Sequence, residues 1–197
     1  MIRILIRSFL YLVFAAVLAQ VLFLEAKNLP TEQLFSERGY TEILQAVMLL
    51  VGALVLAWKS RAGALSQLAL CLAMGFAFLF IRENDHWLDM IFHGSWKYFG
   101  LVPLGIAGWV FWRNRDAISR QLVAWSGTAS FGVMLSGFVV LAFSRLFGRT
   151  VYWETIMGDA YIRVVKNAAE EGVEFLALGL MLVGALEFRS KAKPGSE

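Results

Sequence analysis

The sequence contains very little cysteine and lacks the features of several protein classes. Cys71 is the single cysteine among 197 residues, and it lies in the middle of an apolar run. The chain therefore forms no internal disulfide and no cysteine metal cluster, and Cys71 is expected to pack as a small hydrophobic side chain. The chain also has no tract rich in Lys and Arg. That absence argues against a nucleic-acid partner.

Apolar residues, in contrast, are abundant. They make up 59% of the chain, and the mean hydropathy is +0.65. Apolar runs of about 18 residues or more are typical of membrane spans, and lipid excludes irregular backbone, so such runs must be helical. We therefore predict an all-α, polytopic transmembrane helical bundle in the lipid bilayer. The six predicted spans are residues 4–24, 40–58, 62–81, 98–112, 122–143 and 164–188.

The chain shows no Gly/Ser linker and no clear repeat, which predicts one integral membrane domain over residues 1–197. The first apolar run could instead be a signal peptide, cleaved after Ala19. It continues through Leu24, however, and that length favours a membrane anchor.

The distribution of Lys and Arg predicts the orientation of the bundle. Short turns rich in these residues stay in the cytoplasm. One predicted face has ten basic and three acidic residues, whereas the other has eight basic and twelve acidic residues. We therefore expect both termini in the cytoplasm and the acidic face outside, in a membrane of the bacterial inner (plasma) type. The basic residues of the cytoplasmic face are Arg3, Arg7, Lys59, Arg61, Arg113, Arg115, Arg120, Arg189, Lys191 and Lys193.

The first polar stripe lies between residues 82 and 97 and contains both histidines of the chain. Each residue of an α-helix advances by about 100°, so this segment is predicted to form one amphipathic helix with its ionisable side chains on one side. The side chains on that side are Arg82, Asp85, His86, Asp89, His93, Trp96 and Lys97.

A second polar stripe runs from Asp159 to Glu174, where the last span begins. Glu170 and Glu174 are predicted to lie at or below the outer membrane interface, and Glu42 lies one turn into the second span. Carboxylates at membrane depth usually face the bundle interior or a wet cavity. We therefore expect the two stripes to bring their ionisable groups to the same level of the membrane.

These residue types suggest two kinds of chemistry. His86, Asp89 and His93 combine imidazole with carboxylate, the ligand set of a catalytic zinc, and carboxylates alone would suit calcium or magnesium. Without a metal, a histidine or a carboxylate could act as general acid or base. The candidate catalytic residues are Asp85, His86, Asp89, His93, Glu170 and Glu174, and the candidate substrate or charge partners are Arg82, Glu42, Arg163 and Lys166.

A simpler interpretation is also open, because helix ends that face water normally carry charges. The first stripe could be a solvated surface, and Arg163 and Lys166 could pair with Glu170 and Glu174.

Three functions are compatible with these sequence features. The sequence favours a non-enzymatic membrane subunit whose outer charges dock a partner protein of the cell envelope. The alternatives are a hydrolase or transferase, with or without a metal, acting on a lipid or lipid-linked substrate, and a small-solute or proton-coupled transporter.

Overall fold

The structure is a computed structural model that describes residues 2–30, 33–35 and 39–189. Within these ranges the regular structure is helical and there is no strand, which confirms the predicted all-α class. A 3₁₀ turn at Gly158–Ala160 precedes the last helix. The helices are α1 (Ile2–Asn28), α2 (Tyr40–Lys59), α3 (Ser66–Glu83), α4 (Asp85–Asp89), α5 (Ser95–Ser126), α6 (Ala129–Phe147), α7 (Thr150–Met157) and α8 (Arg163–Glu187).

Four helices among the described residues are long and apolar enough to cross a membrane, which indicates a membrane protein. They are α2, α3, α6 and residues Ile4–Asn28 of α1, and they correspond to the predicted spans one, two, three and five. The surface of α1 agrees with lipid contact, because large apolar side chains such as Phe9 and Leu12 are 64% and 70% exposed.

The predicted spans four and six lie in α5 and α8, which are not among these four helices. In the first half of α8, the run of apolar side chains is interrupted by four charged residues: Lys166, Glu170, Glu171 and Glu174. In α5 the apolar part contains Pro103 and is followed closely by Arg113 and Arg115. The spanning role of these two helices therefore stays a prediction.

The turn predicted between spans four and five is helical. We expected span four to end near Trp112 and span five to begin near Leu122, but α5 continues from Ser95 to Ser126. The break in the helix is local: Asn114 has φ −124° and ψ 23°, and its side-chain amide donates a hydrogen bond to the Val110 carbonyl at 2.9 Å. Basic residues such as Arg115 and Arg120 have good helix propensity, so charge alone does not end a helix.

The chain divides into two compact units. The first comprises Met1–Gln45 and Gly137–Gly179. In it, α1 packs against α8 where the latter has glycine: a Cβ at Gly179 would lie 2.6 Å from Leu18 Cδ1 and 3.1 Å from Phe14 Cε1. Small residues allow transmembrane helices to approach closely.

The second unit comprises Ala46–Ser136 and Leu180–Glu197. Here the ends of helices are held by side chains from other helices. Lys59 Nζ donates to the Ala185 and Leu186 carbonyls at 2.9 and 2.7 Å, so it satisfies carbonyls that are left without partners at the end of α8. Gln121 Oε1 accepts the Leu68 backbone N–H at 2.9 Å in the first turn of α3. Both contacts are between residues far apart in sequence.

Candidate functional site

The segment from Arg82 to Lys97 is not one helix, so the prediction of a single ionisable stripe on it is wrong. The helix α3 ends at Glu83, the five-residue α4 follows Asn84, and α5 begins at Ser95. Asn84 has φ −101° and ψ 26°, and its side chain donates to the Phe80 carbonyl at 2.8 Å. Gly94 has φ 78°, a left-handed conformation that glycine adopts without the steric cost of a Cβ.

Asp89 has a structural role in this turn. Its Oδ1 accepts the Gly94 backbone N–H at 3.0 Å, and its Oδ2 lies 3.3 Å from His93 Nδ1. Nearby, the buried Ser95 hydroxyl donates to the Leu88 carbonyl at 2.5 Å. These contacts fix the conformation of residues 88–95, and they occupy one of the predicted catalytic carboxylates.

The remaining ionisable residues of this segment lie apart from one another or at the surface. Asp85 and His86 are exposed, and the side chain of His93 is fully exposed. Arg82 lies on α3 with a guanidinium nitrogen 3.8 Å from Glu83 Oε2. The structure thus brings Asp89 and His93 together but leaves His86 on the surface of α4, where its ring stacks edge-on against Trp87.

Large apolar side chains share this exposed turn. Trp87, Met90, Ile91 and Phe92 are between 51% and 73% exposed. We refer to the segment from Asn84 to Gly94 as the α3–α5 turn. It combines a fixed backbone with exposed aromatic, aliphatic and ionisable side chains, and it lies outside the four candidate spans.

Among the acidic residues of α8, Glu174 is buried, whereas Glu170 and Glu171 are half-buried. Glu174 is 5% exposed and forms an ion pair with Arg145 of α6. Its Oε1 also accepts a hydrogen bond from the Ser144 hydroxyl at 3.3 Å. Arg145 was not among the charge partners expected from the sequence, although it lies at the end of one apolar run and Glu174 lies at the start of another.

Glu170 is held by a cation from its own helix. Lys166 Nζ lies 2.8 Å from Glu170 Oε2, and both side chains are mostly buried. This is the pair that the simpler interpretation expected. Gly148, just after α6, makes room for it, because a Cβ on Gly148 would collide with the Glu170 carboxylate. Arg163, the other predicted cation, is exposed at the start of α8, and Asp159 is exposed in the preceding 3₁₀ turn.

A fully buried amide from α2 completes this group, which we call the α8 acidic cluster: Gln45, Ser144, Arg145, Lys166, Glu170, Glu171 and Glu174. Gln45 Nε2 donates to Glu171 Oε2 at 3.1 Å, whereas Gln45 Oε1 is buried without a hydrogen-bond donor among the described residues. An unsatisfied buried acceptor is rare in native structures. Glu42, one turn earlier on α2, is half-buried.

Glu25 is a buried carboxylate that sequence analysis did not select. It is 0% exposed, and it accepts the Phe35 and Thr41 backbone N–H groups at 2.8 and 2.7 Å together with the Thr41 hydroxyl at 2.5 Å. Thr41 is in the first turn of α2, where backbone N–H groups lack partners within the helix. Glu25 therefore links the end of α1 to the start of α2, and an acid directly after an apolar run was the signal available in the sequence.

The described residues contain no group of three or more His, Cys, Asp or Glu side chains placed to hold a metal ion. The predicted zinc or Mg/Ca site is therefore not supported. The histidines belong to the second compact unit and the α8 acidic cluster to the first, so convergence of the two stripes stays a prediction. No protein-family model matches the chain, and comparisons with curated proteins and with solved structures find no match.

Proposed function

We propose that this protein is a non-enzymatic membrane subunit whose α3–α5 turn docks a partner protein of the cell envelope. The observation that carries the proposal is the display of Trp87, Met90, Ile91 and Phe92, each more than half exposed, on a turn fixed by Asp89 and Ser95. Aromatic residues and Met are enriched in protein interfaces. A preformed turn also loses little conformational entropy when it binds.

The proposal includes the six-span orientation, with both termini in the cytoplasm of a bacterial inner-membrane protein and the α3–α5 turn outside. The asymmetry of Lys and Arg supports it, and Trp109 and Trp112, exposed beside Arg113 and Arg115, have the character of an interfacial belt. Reporter fusions after Ser60 and Asn114 should show cytoplasmic activity, and one after Ser95 external activity. A cytoplasmic signal at Ser95 would refute the arrangement.

The docking experiment uses a photo-crosslinking amino acid in place of Trp87, with Val139 as the matched control. Val139 is 60% exposed on α6, in a candidate span, so lipid contact is expected there. In intact cells we expect a discrete protein adduct at position 87 and none at position 139. The change Phe92→Ala should weaken the adduct at position 87. If the folded protein forms only lipid adducts at position 87, the apolar side chains contact the membrane surface and the docking proposal fails.

A second candidate, a hydrolase or transferase that acts on a lipid or lipid-linked substrate, is favoured by one observation. The buried Gln45 Oε1 accepts no hydrogen bond from the part of the chain that the structure describes, and it belongs to an amide that contacts Glu171. A polar ligand could supply a donor. The variants Glu170→Gln and Glu174→Gln test this function. If the two carboxylates are catalytic, the variant proteins should fold with a normal yield but fail to support the cellular phenotype. A normal phenotype in the double variant would eliminate it, and a transporter that depends on these carboxylates would be eliminated too.

A further inference from the structure

The second half of α5 forms a helical arm beyond the break at Asn114. Its buried residues are Ile118, Gln121 and Trp125, spaced by three and four positions, so one face of this arm packs against the rest of the second unit. Trp125 Nε1 donates to the Ser130 hydroxyl at 3.0 Å, and its ring stacks against Phe188. Trp125 therefore fixes the C-terminal end of the arm's buried face.

A cleft opens beside this arm, with a volume of about 250 Å³. Most of its wall is apolar, and its lining residues are Ala64, Leu65, Ala117, Arg120, Gln121 and Ala124. Gln121 holds the two sides together, because its Oε1 accepts the Leu68 N–H and its Nε2 donates to Gln67 Oε1 at 2.5 Å. The cleft is thus built from the α2–α3 connection and α5, with a tied polar side chain in its wall.

The charge at the cleft is positive. Arg120 is exposed, and no carboxylate lies within ion-pair distance of it among the described residues. Arg61 is exposed in the connection that supplies Ala64 and Leu65. Asp116, the acidic residue of this arm, is also exposed. Its single negative charge is outnumbered by the positive charges of Arg115 and Arg120, so the arm has a net positive charge.

In the predicted six-span arrangement, span four ends near Trp112, which puts the cleft at the headgroup level of the membrane. Trp109 and Trp112 are 63% and 77% exposed, and Arg113 and Arg115 lie over their rings at 5.8 and 6.0 Å. Exposed Trp residues mark the membrane–water interface. Ala117 follows Trp112 by roughly 8 Å of helix rise, so the cleft lies within reach of phospholipid headgroups.

We propose that this cleft is a binding site for an anionic phospholipid. Arg120 pairs with the lipid phosphate, and the first methylene groups of an acyl chain pack against Leu65, Ala117 and Ala124. Basic pockets between membrane helices recognise anionic headgroups through this combination of charge and apolar wall. The inference rests on the predicted six-span arrangement and not on the docking function proposed for the α3–α5 turn.

The test measures thermal unfolding of the purified full-length protein in detergent with three additives: phosphatidylglycerol, phosphatidylcholine with the same acyl chains, and inorganic phosphate. A ligand that binds only the folded state raises the melting temperature. We expect phosphatidylglycerol to raise it by about 2–4 °C and the other two to have little effect. Equal shifts with phosphatidylcholine would overturn the headgroup assignment, and an equal shift with phosphate alone would overturn the lipid assignment.

Two variants and a control locate the site. Arg120→Gln keeps a polar, hydrogen-bonding side chain but removes its charge, and it should weaken the phosphatidylglycerol effect roughly tenfold in lipid concentration, in line with a single charge-assisted contact. The control Arg113→Gln removes a charge from the same helix outside the cleft and should retain the effect. Equal behaviour of the two variants would overturn the proposal.

Ala124→Phe fills the cleft while leaving Arg120 in place. Ala124 is exposed, so the larger side chain should be accommodated with a normal folded yield. We expect the specific effect of phosphatidylglycerol to disappear. If the response of Ala124→Phe matches that of the unmodified protein, the lipid does not occupy the cleft, and this result decides the question even if Arg120→Gln yields no folded protein.

Discussion

Glu174 in α8 and Asp85 in α4 are both acids at the edge of an apolar run, yet they have opposite environments. Glu174 is 5% exposed and pairs with Arg145, whereas Asp85 is exposed on the α3–α5 turn. The difference arises from helix continuity. The helix α8 continues past its acids into the core of the first unit, but α3 ends at Glu83, so the acids that follow it leave the helix face on which they were predicted.

The chain uses its ionisable groups in two different ways. In the α8 acidic cluster, charge is paired and contributes to the specific packing of α6 and α8. In the α3–α5 turn, charge is available to solvent or to a partner. The cluster should therefore respond to mutation mainly through stability, and the turn mainly through binding.

The largest effect should follow from removing the cation of the buried pair. Arg145→Met leaves the Glu174 carboxylate buried without its counter-charge, and loss of one partner of a buried pair costs about 3–5 kcal/mol. Because Arg145 itself is half exposed, we expect the lower end of that range. Thermal unfolding in detergent measures the change, with Arg149→Met as a control at an exposed arginine nearby.

Adding Glu174→Gln to Arg145→Met removes the buried charge and should recover much of the lost stability. The double-mutant cycle then gives the coupling between the two residues. Additive effects of the two changes would show that the pair contributes nothing specific, and the contrast between the cluster and the turn would lose its basis.

A smaller effect is expected at Gly148. The change Gly148→Ala places a Cβ against the Glu170 carboxylate and should displace it from Lys166. We expect a loss of about 1–3 kcal/mol, the usual range for overpacking, and a smaller loss in a Glu170→Ala background, where the carboxylate is absent. Gly132→Ala is the control, because nothing lies near its Cβ position, and it should be neutral or stabilising. Equal losses in both backgrounds would contradict the contact.

The smallest effects on stability should occur in the α3–α5 turn, and they should differ between neighbouring acids. Asp89→Ala removes the acceptor of the Gly94 N–H and should cost about 1 kcal/mol, the net value of one hydrogen bond. Asp85→Ala and His86→Ala should stay within about 0.5 kcal/mol, as is usual for surface substitutions. A large loss from Asp85→Ala would mean that this side chain has a structural role, and the distinction between the turn and the cluster would need revision.

Particular residues show how much of this arrangement the sequence could predict. Burial of Glu170 and Glu174 was predictable, since they lie where an apolar run begins and exposed carboxylates in lipid are costly. The Lys166–Glu170 pair was predictable from its spacing on one helix. The Arg145–Glu174 pair was not assigned, because the two residues lie on different helices. The periodicity of one helix does not specify how it is rotated relative to another.

The sequence by itself determined the all-α class and the four apolar helices, since these depend on run length and composition, which are local properties. Tertiary structure decided where helices end and which side chains meet. Asn84 and Gly94 interrupt the predicted ionisable stripe, Asn114 only breaks α5 locally, and Glu25, Lys59 and Gln121 satisfy helix ends far away in the sequence. The physical reason is that unpaired backbone groups at a helix end can be satisfied by any side chain the fold brings near, and sequence spacing does not specify which one.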